Sequence, residues 1–428
     1  MEKRVIKYLV SILIILLFGA SSYGTPEKRD SVVVSLITCW PGQEVYELCG
    51  HEALRVRGVM DGVRVDSVWN YGVFDFNQPN FIYRFVKGET DYMLAGYPFA
   101  WFLPEYQSKG RRVLEQDLNL TPDEARQLIE MLREEGLPEN RTYRYNYVRD
   151  NCATRIVDRI DSVAGKKVIY PDNIKYGTFR RTMRAYHSGY PWYQFGIDLA
   201  LGSGIDVPIG GREEMFVPVE MAEKATDAHF ADGRPLIKES RVLNAGTGDA
   251  TLPATPWWIG PTAVSWYLFT LVLIACAVMA TRRILFRWIY SLWFGVIGLA
   301  GCLIAFLVFF SEHEATDSNV LILWLNPFQL LLAFSIWSRK MKWLSKYISI
   351  YNTVVIGCLL LVWYFQRQSA NPAFFPLMGL TLLLSVTFLL TAGEYYGSNK
   401  TGSFSFNKKG NRRSGTPSSR PGTRKRKR

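Results

Sequence analysis

Histidine is scarce in this sequence: His51, His187, His229 and His313 are the only four in 428 residues. So few imidazoles leave little choice for a general base and less for a zinc site. Gly50-His51-Glu52 begins as a zinc-protease helix would, but Arg55 stands where the second histidine is needed. Cys39 and Cys49 are too far apart for a zinc knuckle, and no second Cys or His pair completes a set. A glycine-rich phosphate loop is also missing, so no metal and no cofactor is expected. Acidic residues are absent from 400–428, where eleven Lys or Arg collect; of the formal charge of +12, that stretch accounts for all but +1. The basicity is a tail and not a groove, and without a recognition motif no nucleic-acid partner is expected. Its Gly, Ser and Pro content and the terminal RKRKR describe a disordered cytoplasmic tail near anionic lipid headgroups.

What is present is divided between two solvents. Lys3, Arg4 and Lys7 precede an apolar run over 8–18 and the small residues Gly19, Ala20, Ser21 and Ser22, the pattern of a signal sequence. Cleavage near 20–24 is preferred, with a retained anchor as the alternative; in either case the adjoining domain is exported. Five apolar runs lie near 263–280, 288–310, 320–338, 347–365 and 373–391, each close to the roughly 20 residues a spanning helix needs. Arg282, Arg283 and Arg287, then Arg339, Lys340, Lys342 and Lys346, then the tail, fall on alternate sides and are assigned to the cytoplasm. The loops at 312–317 and 366–371 then face outward with the soluble part. The chain divides into a signal sequence or anchor (1–23), a periplasmic domain (24–255) whose last stretch, 234–255, reads as a linker, a five-helix transmembrane domain (256–395) and the basic tail (396–428). The expected location is the inner membrane, crossed several times.

The exported part reads as α+β. SVVVSLIT is a buried strand, GHEALRVRGV a second, and VRVDSVWNYGVF its partner across an Asp61-Gly62 turn. Residues 80–87 form a short aromatic helix candidate and RRVLEQDL a further strand. Thr121-Pro122-Asp123-Glu124 is a capping box opening a helix to about Glu135. PWYQFGIDLALGSGIDVP places Trp192, Tyr193 and Phe195 against the domain or at the membrane interface. Asn326, Pro327 and Gln329 interrupt the third apolar run, consistent with a locally hydrogen-bonded kink or with polar lining.

Of six cysteines, Cys276, Cys302 and Cys358 lie in apolar runs, while Cys39, Cys49 and Cys152 are exported. An odd exported count permits one disulfide, with Cys39–Cys49 the local pairing, and leaves a thiol over. Cys152 is the informative one. Asp150 and Asn151 end an alternating Tyr143, Tyr145, Tyr147 stretch and start a helix with Ile156, Val157, Ile160 and Val163 on one face. That puts Cys152 in the first turn, where free N–H groups and the helix dipole favour a thiolate; the plainer alternative is a small buried hydrophobe. His51, behind Gly50 at the opening of a strand, is the base candidate for a thiolate mechanism. Asn70 is the first candidate for the group that fixes its tautomer and Asp66 the second, both on the returning strand.

TCWPGQEVYELCGHEALRV, WNYGVFDFNQPNFIYRFVKG, YRYNYVRDNCATRIVD and PWYQFGIDLALGSGID resemble the bacterial lipoprotein N-acyltransferases of the Lnb family. The resemblance covers most of the chain before the tail. Histidine first and cysteine later is also similar to the permuted papain-like folds of the NlpC/P60 superfamily. The resemblance implies such a fold, Cys152 as nucleophile and His51 as base, a phospholipid as acyl donor and a diacylglyceryl-cysteine lipoprotein as acceptor. Cys49 departs from the pattern, since an aromatic is expected before the Gly-His pair. From the residues alone, a cysteine peptidase or amidase acting on cell-wall peptides and a non-catalytic envelope scaffold stay open beside the acyltransferase.

Overall fold

Strand alternation sorts the exported side chains onto the two faces of one seven-stranded antiparallel sheet in the computed structural model, which describes residues 31–75, 77, 79–165, 168–247 and 254–397. The expected signal sequence and basic tail lie outside these residues. The strands are β1 (Ser31–Cys39), β2 (His51–Met60), β3 (Val63–Val73), β4 (Asp91–Pro98), β5 (Val113–Leu118) and β6 (Thr142–Arg144), followed by the small pair β7 (Val168–Ile169) and β8 (His229–Phe230), and β9 (Ile237–Asn244). The sheet order is β6-β4-β3-β2-β1-β5-β9. Asp61 and Gly62 both take positive φ, 51° and 77°, the geometry of a two-residue turn between twisted strands, and so β2 and β3 pair as expected. One expectation is corrected here: residues 237–244 pair with β5 as the edge strand β9 and are not linker.

Even-numbered positions of β1 and β2, such as Leu36, Leu54 and Val56, face α3 (Pro122–Glu135), α4 (Cys152–Val163) and α8 (Pro218–Asp227). Leu128, Leu132, Ile156, Val157 and Ile160 meet them there, each side chain contributing roughly 1.5–3 kcal/mol by leaving water. Odd-numbered Ile37, Cys39 and Ala53 face α2 (Phe99–Ser108) with its Phe99, Phe102 and Tyr106. The remaining exported helices are α1 (Phe81–Lys87), α5 (Phe179–Tyr186), α6 (Pro191–Ala200) and α7 (Gly211–Glu214). The capping box of α3 is present: Thr121 Oγ1 accepts from the Glu124 N–H at 3.2 Å and the Glu124 carboxylate from the Thr121 N–H at 2.7 Å.

Helix α4 starts on a stronger cap. Asn151 Oδ1 accepts from the N–H groups of Ala153 and Thr154 at 2.9 and 3.0 Å, and Nδ2 donates to the carbonyls of Tyr147 and Phe216 at 2.8 and 2.9 Å. Asn151→Ala removes the cap and strands two buried carbonyls. The expected loss of stability is about 2–4 kcal/mol, measured as a lowered denaturation midpoint; a loss below about 1 kcal/mol would mean that the turn holds without this side chain.

Among the described residues four helices are long and apolar enough to cross a membrane: α9 (Pro261–Arg282), α10 (Arg287–Phe309), the run from α12 (Lys342–Val362) to Phe365, and the first part of α13 (Phe374–Gly397). The interruption expected in the third apolar run is present: the run is a short 3-10 turn (Val320–Leu323), a bend and α11 (Gln329–Ser335) in place of one long helix. Pro327 cannot continue the hydrogen-bond ladder. The bend packs so tightly on α10 that a Cβ at Gly301 would come within 2.6 Å of Asn326 backbone atoms. Gln329, fully buried, exchanges hydrogen bonds with Asn352 on α12 at 2.7 and 3.1 Å and donates to the Trp324 carbonyl. These polar groups serve the kink.

Candidate active site

Strands β2 and β3 pair only as far as Leu54 and Trp69. Beyond that point β3 bulges at Gly72, whose φ is +88°, and the start of α4 enters the gap. A Cβ on Gly72 would stand 3.5 Å from the Tyr145 ring and 4.0 Å from the Cys152 Cβ, ordinary contacts, so it is the left-handed backbone that calls for glycine here. Cys152 is the first residue of α4 and is almost wholly buried. Its sulfur accepts from the backbone N–H of Glu52, the residue after His51, and from those of Ala153 and Cys152 itself.

His51 opens β2 at the same end of the sheet. Its Nε2–H donates to Asn70 Oδ1 at 2.6 Å, and Asn70 Nδ2 donates to the Tyr97 hydroxyl at 3.0 Å. The second bond orients the amide; the first fixes the imidazole tautomer and leaves Nδ1 with its lone pair free to accept a proton. Asp66, the other candidate for this place, forms a bidentate pair with Arg55 at 2.7 and 2.9 Å and does not meet His51. By alternation the His51 side chain belongs to the α2 face and Cys152 to the α4 face, and the link between them is the 51–52 peptide, whose N–H at Glu52 reaches the Cys152 sulfur.

Burial governs both proton affinities. It pushes the Cys152 thiol up to about 12 despite the three N–H groups, and His51 down to about 4 despite its bond to Asn70. The sequence expectation that the helix start favours a thiolate is therefore corrected: desolvation outweighs the helix dipole, and thiol and imidazole rest as a neutral pair. Glu52 is wholly buried, accepts from Thr38 Oγ1 at 2.8 Å and has its carboxyl held well above the usual range by burial. The local disulfide does not form. All six cysteines are free; Cys39 lies on the α2 face with Tyr106, while Cys49 Sγ lies 3.2 Å from the Tyr147 hydroxyl.

Aromatic rings run from this site to the membrane helices. Tyr145 stacks on Tyr92 with centroids 4.3 Å apart, Tyr92 lies 5.0 Å from Phe74, and Phe74 meets Phe81 of α1 at 6.2 Å. Phe85 of α1 packs on His313, and Tyr83 on Phe306 of α10, each at 6.2 Å. The Phe85 carbonyl bonds to His313 Nε2 at 2.8 Å, and the Glu312 N–H donates to the Lys87 carbonyl at 2.7 Å. Helix α1 thus rests on the end of α10, with Ile82, Tyr83 and Phe85 exposed.

Residues 27–185 match the family described as the Lnb N-terminal periplasmic domain, and residues 253–394 match the one described as the Lnb transmembrane domain. The chain belongs to the Lnb family. Comparison with curated proteins and with solved structures finds no match. Membership in Lnb places the sheet in the periplasm and the helices in the inner membrane, which the chain crosses more than once. The loops that charge assigned to the outer side do meet the Lnb periplasmic domain: Arg144 pairs with Glu312, Arg184 donates to Ser369 Oγ at 2.8 Å, and Asn371 donates to Asp198 at 2.9 Å.

Sequence reasoning missed several groups. Tyr97 and the Glu52 N–H lie next to chosen residues, but strand register alone brings them to the site. His187, far from the others in sequence, donates from Nδ1 to Gln194 Oε1 at 2.8 Å and turns Nε2 toward the Tyr147 hydroxyl, 3.4 Å, and Cys49 Sγ, 3.8 Å. The only signal for that cluster was Gln194 within PWYQFG, which the aromatic residues around it overshadowed.

Proposed function

We propose that this protein is a cysteine-dependent lipoprotein N-acyltransferase, moving an acyl chain from a phospholipid to the α-amine of a diacylglyceryl-cysteine. The observation that carries this is the Cys152 sulfur beneath backbone N–H donors, one of them from Glu52, the residue after His51, whose ring is held by Asn70, at the head of an aromatic path to the membrane helices.

In the first half-reaction His51 Nδ1 takes the Cys152 proton as the sulfur attacks a glycerol ester carbonyl. In this reading the N–H groups of Glu52 and Ala153, which reach the Cys152 sulfur at rest, turn to the oxyanion as it forms, each such donor contributing roughly 3 kcal/mol. Collapse breaks the ester C–O bond, and the imidazolium returns its proton to the lysophospholipid alkoxide. An acyl thioester remains. In the second, the lipoprotein amine attacks that thioester, His51 accepts a proton from the amine nitrogen, and the Cys152 thiolate leaves and is reprotonated. The acceptor amine, with a usual pKa of about 8, is neutral in about one molecule in ten near pH 7, and it is this fraction that attacks. The rings of Tyr145, Tyr92, Phe74 and Phe81 supply an apolar bed for the chain, and attachment to the bilayer confines donor, acceptor and nucleophile to one surface.

Purified protein mixed with phospholipid and no acceptor should gain one fatty-acyl mass on Cys152 that neutral hydroxylamine removes and Cys152→Ser does not form as a thioester. Cleaved cell-wall stem peptides without an acyl adduct would point to the peptidase instead, and a Cys152→Ala chain that still restores triacylated lipoproteins to cells lacking this protein would leave only a scaffold.

A further inference from the structure

Where the periplasmic domain sits on the membrane helices there is a cavity of about 360 Å³, lined by His187, Gln194, Thr255, Trp257, Thr262 and Asn371 among others, with no Asp or Glu among the described residues of its wall. The start of α9 forms one side. Its N-cap is Gly260, which has no side chain to cap the helix, and Pro261 is the first helical residue. The backbone N–H groups of Thr262 and Ala263 therefore have no intrahelical acceptor, and the positive end of a 22-residue helix opens on the cavity.

Gln194 supplies the second observation. It lines the cavity and is 7 % exposed, and because its Oε1 accepts the His187 Nδ1–H, its Nε2 is left as a buried donor with no partner among the described residues. A buried donor left unpaired costs free energy that an acceptor would recover. Unpaired N–H donors, two threonine hydroxyls and no opposing carboxylate in the wall describe a site for an anion. Asp198, which accepts from the lining residue Asn371, is neutralised by Arg180 and Arg184. The cavity's position names the anion's source. Trp257, which lines it, is 78 % exposed, and the next residue, Trp258, is exposed as well, just before the first membrane helix, the depth at which tryptophan and lipid phosphates both concentrate.

We propose that this cavity binds the phosphodiester headgroup of a membrane phospholipid, held by the N-terminus of α9 and Gln194, with the acyl chains lying along the outer end of that helix. This goes beyond the acyl-transfer reading and does not depend on it.

The test uses the full chain carrying Cys152→Ala in neutral detergent, so that no lipid is consumed, with retained lipid measured by native mass spectrometry. Phosphatidylethanolamine or phosphatidylglycerol should be retained and diacylglycerol should not. Gln194→Leu should weaken retention on the order of tenfold to a hundredfold, the range for one lost hydrogen bond to a charged group. Because that change also strips His187 of its partner, Gly260→Asp is the second variant. Its new Cβ would lie 3.2 Å from the Trp257 carbonyl, a contact that a small shift relieves, and its carboxylate would cap the free N–H groups. It should hold or raise the melting temperature and still abolish retention. Equal retention of diacylglycerol, or unchanged retention in Gly260→Asp, overturns the proposal. So does displacement of the lipid by millimolar inorganic phosphate in wild type and Gly260→Asp alike.

Discussion

His51→Ala is expected to lower the rate of thioester formation by about 10⁴-fold or more at pH 7, with the melting temperature nearly unchanged. The size comes from the thiol. With its pKa pushed to about 12, a Cys152 sulfur without a base is ionised in only about one molecule in 10⁵ at pH 7. The wild-type enzyme avoids this by transferring the proton within the attack, which needs an imidazole with a free lone pair. His51, held down to about 4 by burial, keeps that lone pair from pH 5 upward, so wild-type activity should be nearly flat between pH 6 and 9. The variant should instead rise about tenfold per pH unit over the same range, as hydroxide replaces the missing base. A single-turnover pH profile on both proteins checks this. A variant that is slow but equally flat would mean that the proton leaves Cys152 by another route. The same burial bears on stability with a definite sign: between pH about 4 and 6.5 the unfolded imidazole takes up a proton and the folded one does not, so this group's contribution to stability falls on acidification.

Much of this site was legible because local chemistry dictates it. Asp61-Gly62 forces the turn that brings Asn70 back to His51, and Asn151 marks the helix start that presents Cys152. What was not legible depends on partners remote in sequence. IKESRVLN reads as a linker because an edge strand buries little; its Arg241 reaches Glu115 and Asp117 on β5, which no local pattern reveals. β4 and α2 escaped notice since Pro104 sits inside the helix and Gly96 inside the strand, both usually breakers; the Gly96 site meets the Trp69 ring, where a Cβ would be only 3.0 Å away. In the third apolar run Asn326, Pro327 and Gln329 mark the break locally, but the close seating of that bend against Gly301 of a neighbouring helix has no local signal. Conversely, the pull of a helix dipole on a thiol is a sequence-level rule, and here the depth of the gap between β2 and β3 overrides it.

Arg180→Ala should cost about 3–5 kcal/mol and detach the periplasmic domain from the outer loops of the membrane helices. Arg180 is wholly buried on α5. Its Nε lies 2.9 Å from both oxygens of Asp206, Nη1 donates to Asp198 at 2.9 Å, and Nη2 donates to the carbonyls of Leu201 and Gly202 at 2.9 and 2.8 Å. Asp198, also wholly buried, receives in addition Arg184 and Asn371. Arg184 continues to Ser369 in the loop before α13. One guanidinium therefore closes the segment after α6 and, through Asp198, fixes that segment to the membrane domain. A buried pair adds little over an apolar replacement of both partners, but removing one partner strands the other's charge; burial already pushes the Asp206 carboxyl up while Arg180 is in place. Arg180→Lys should recover only part of the loss, since one ammonium cannot span two carboxylates and two carbonyls. The expected signature is a fall in melting temperature on the order of 10 °C, together with new protease cleavage in the segment after α6. An alanine variant that melts within about 2 °C of wild type would show that the domain is held to the helices by α1 and the aromatic contacts at His313 and Phe306 instead.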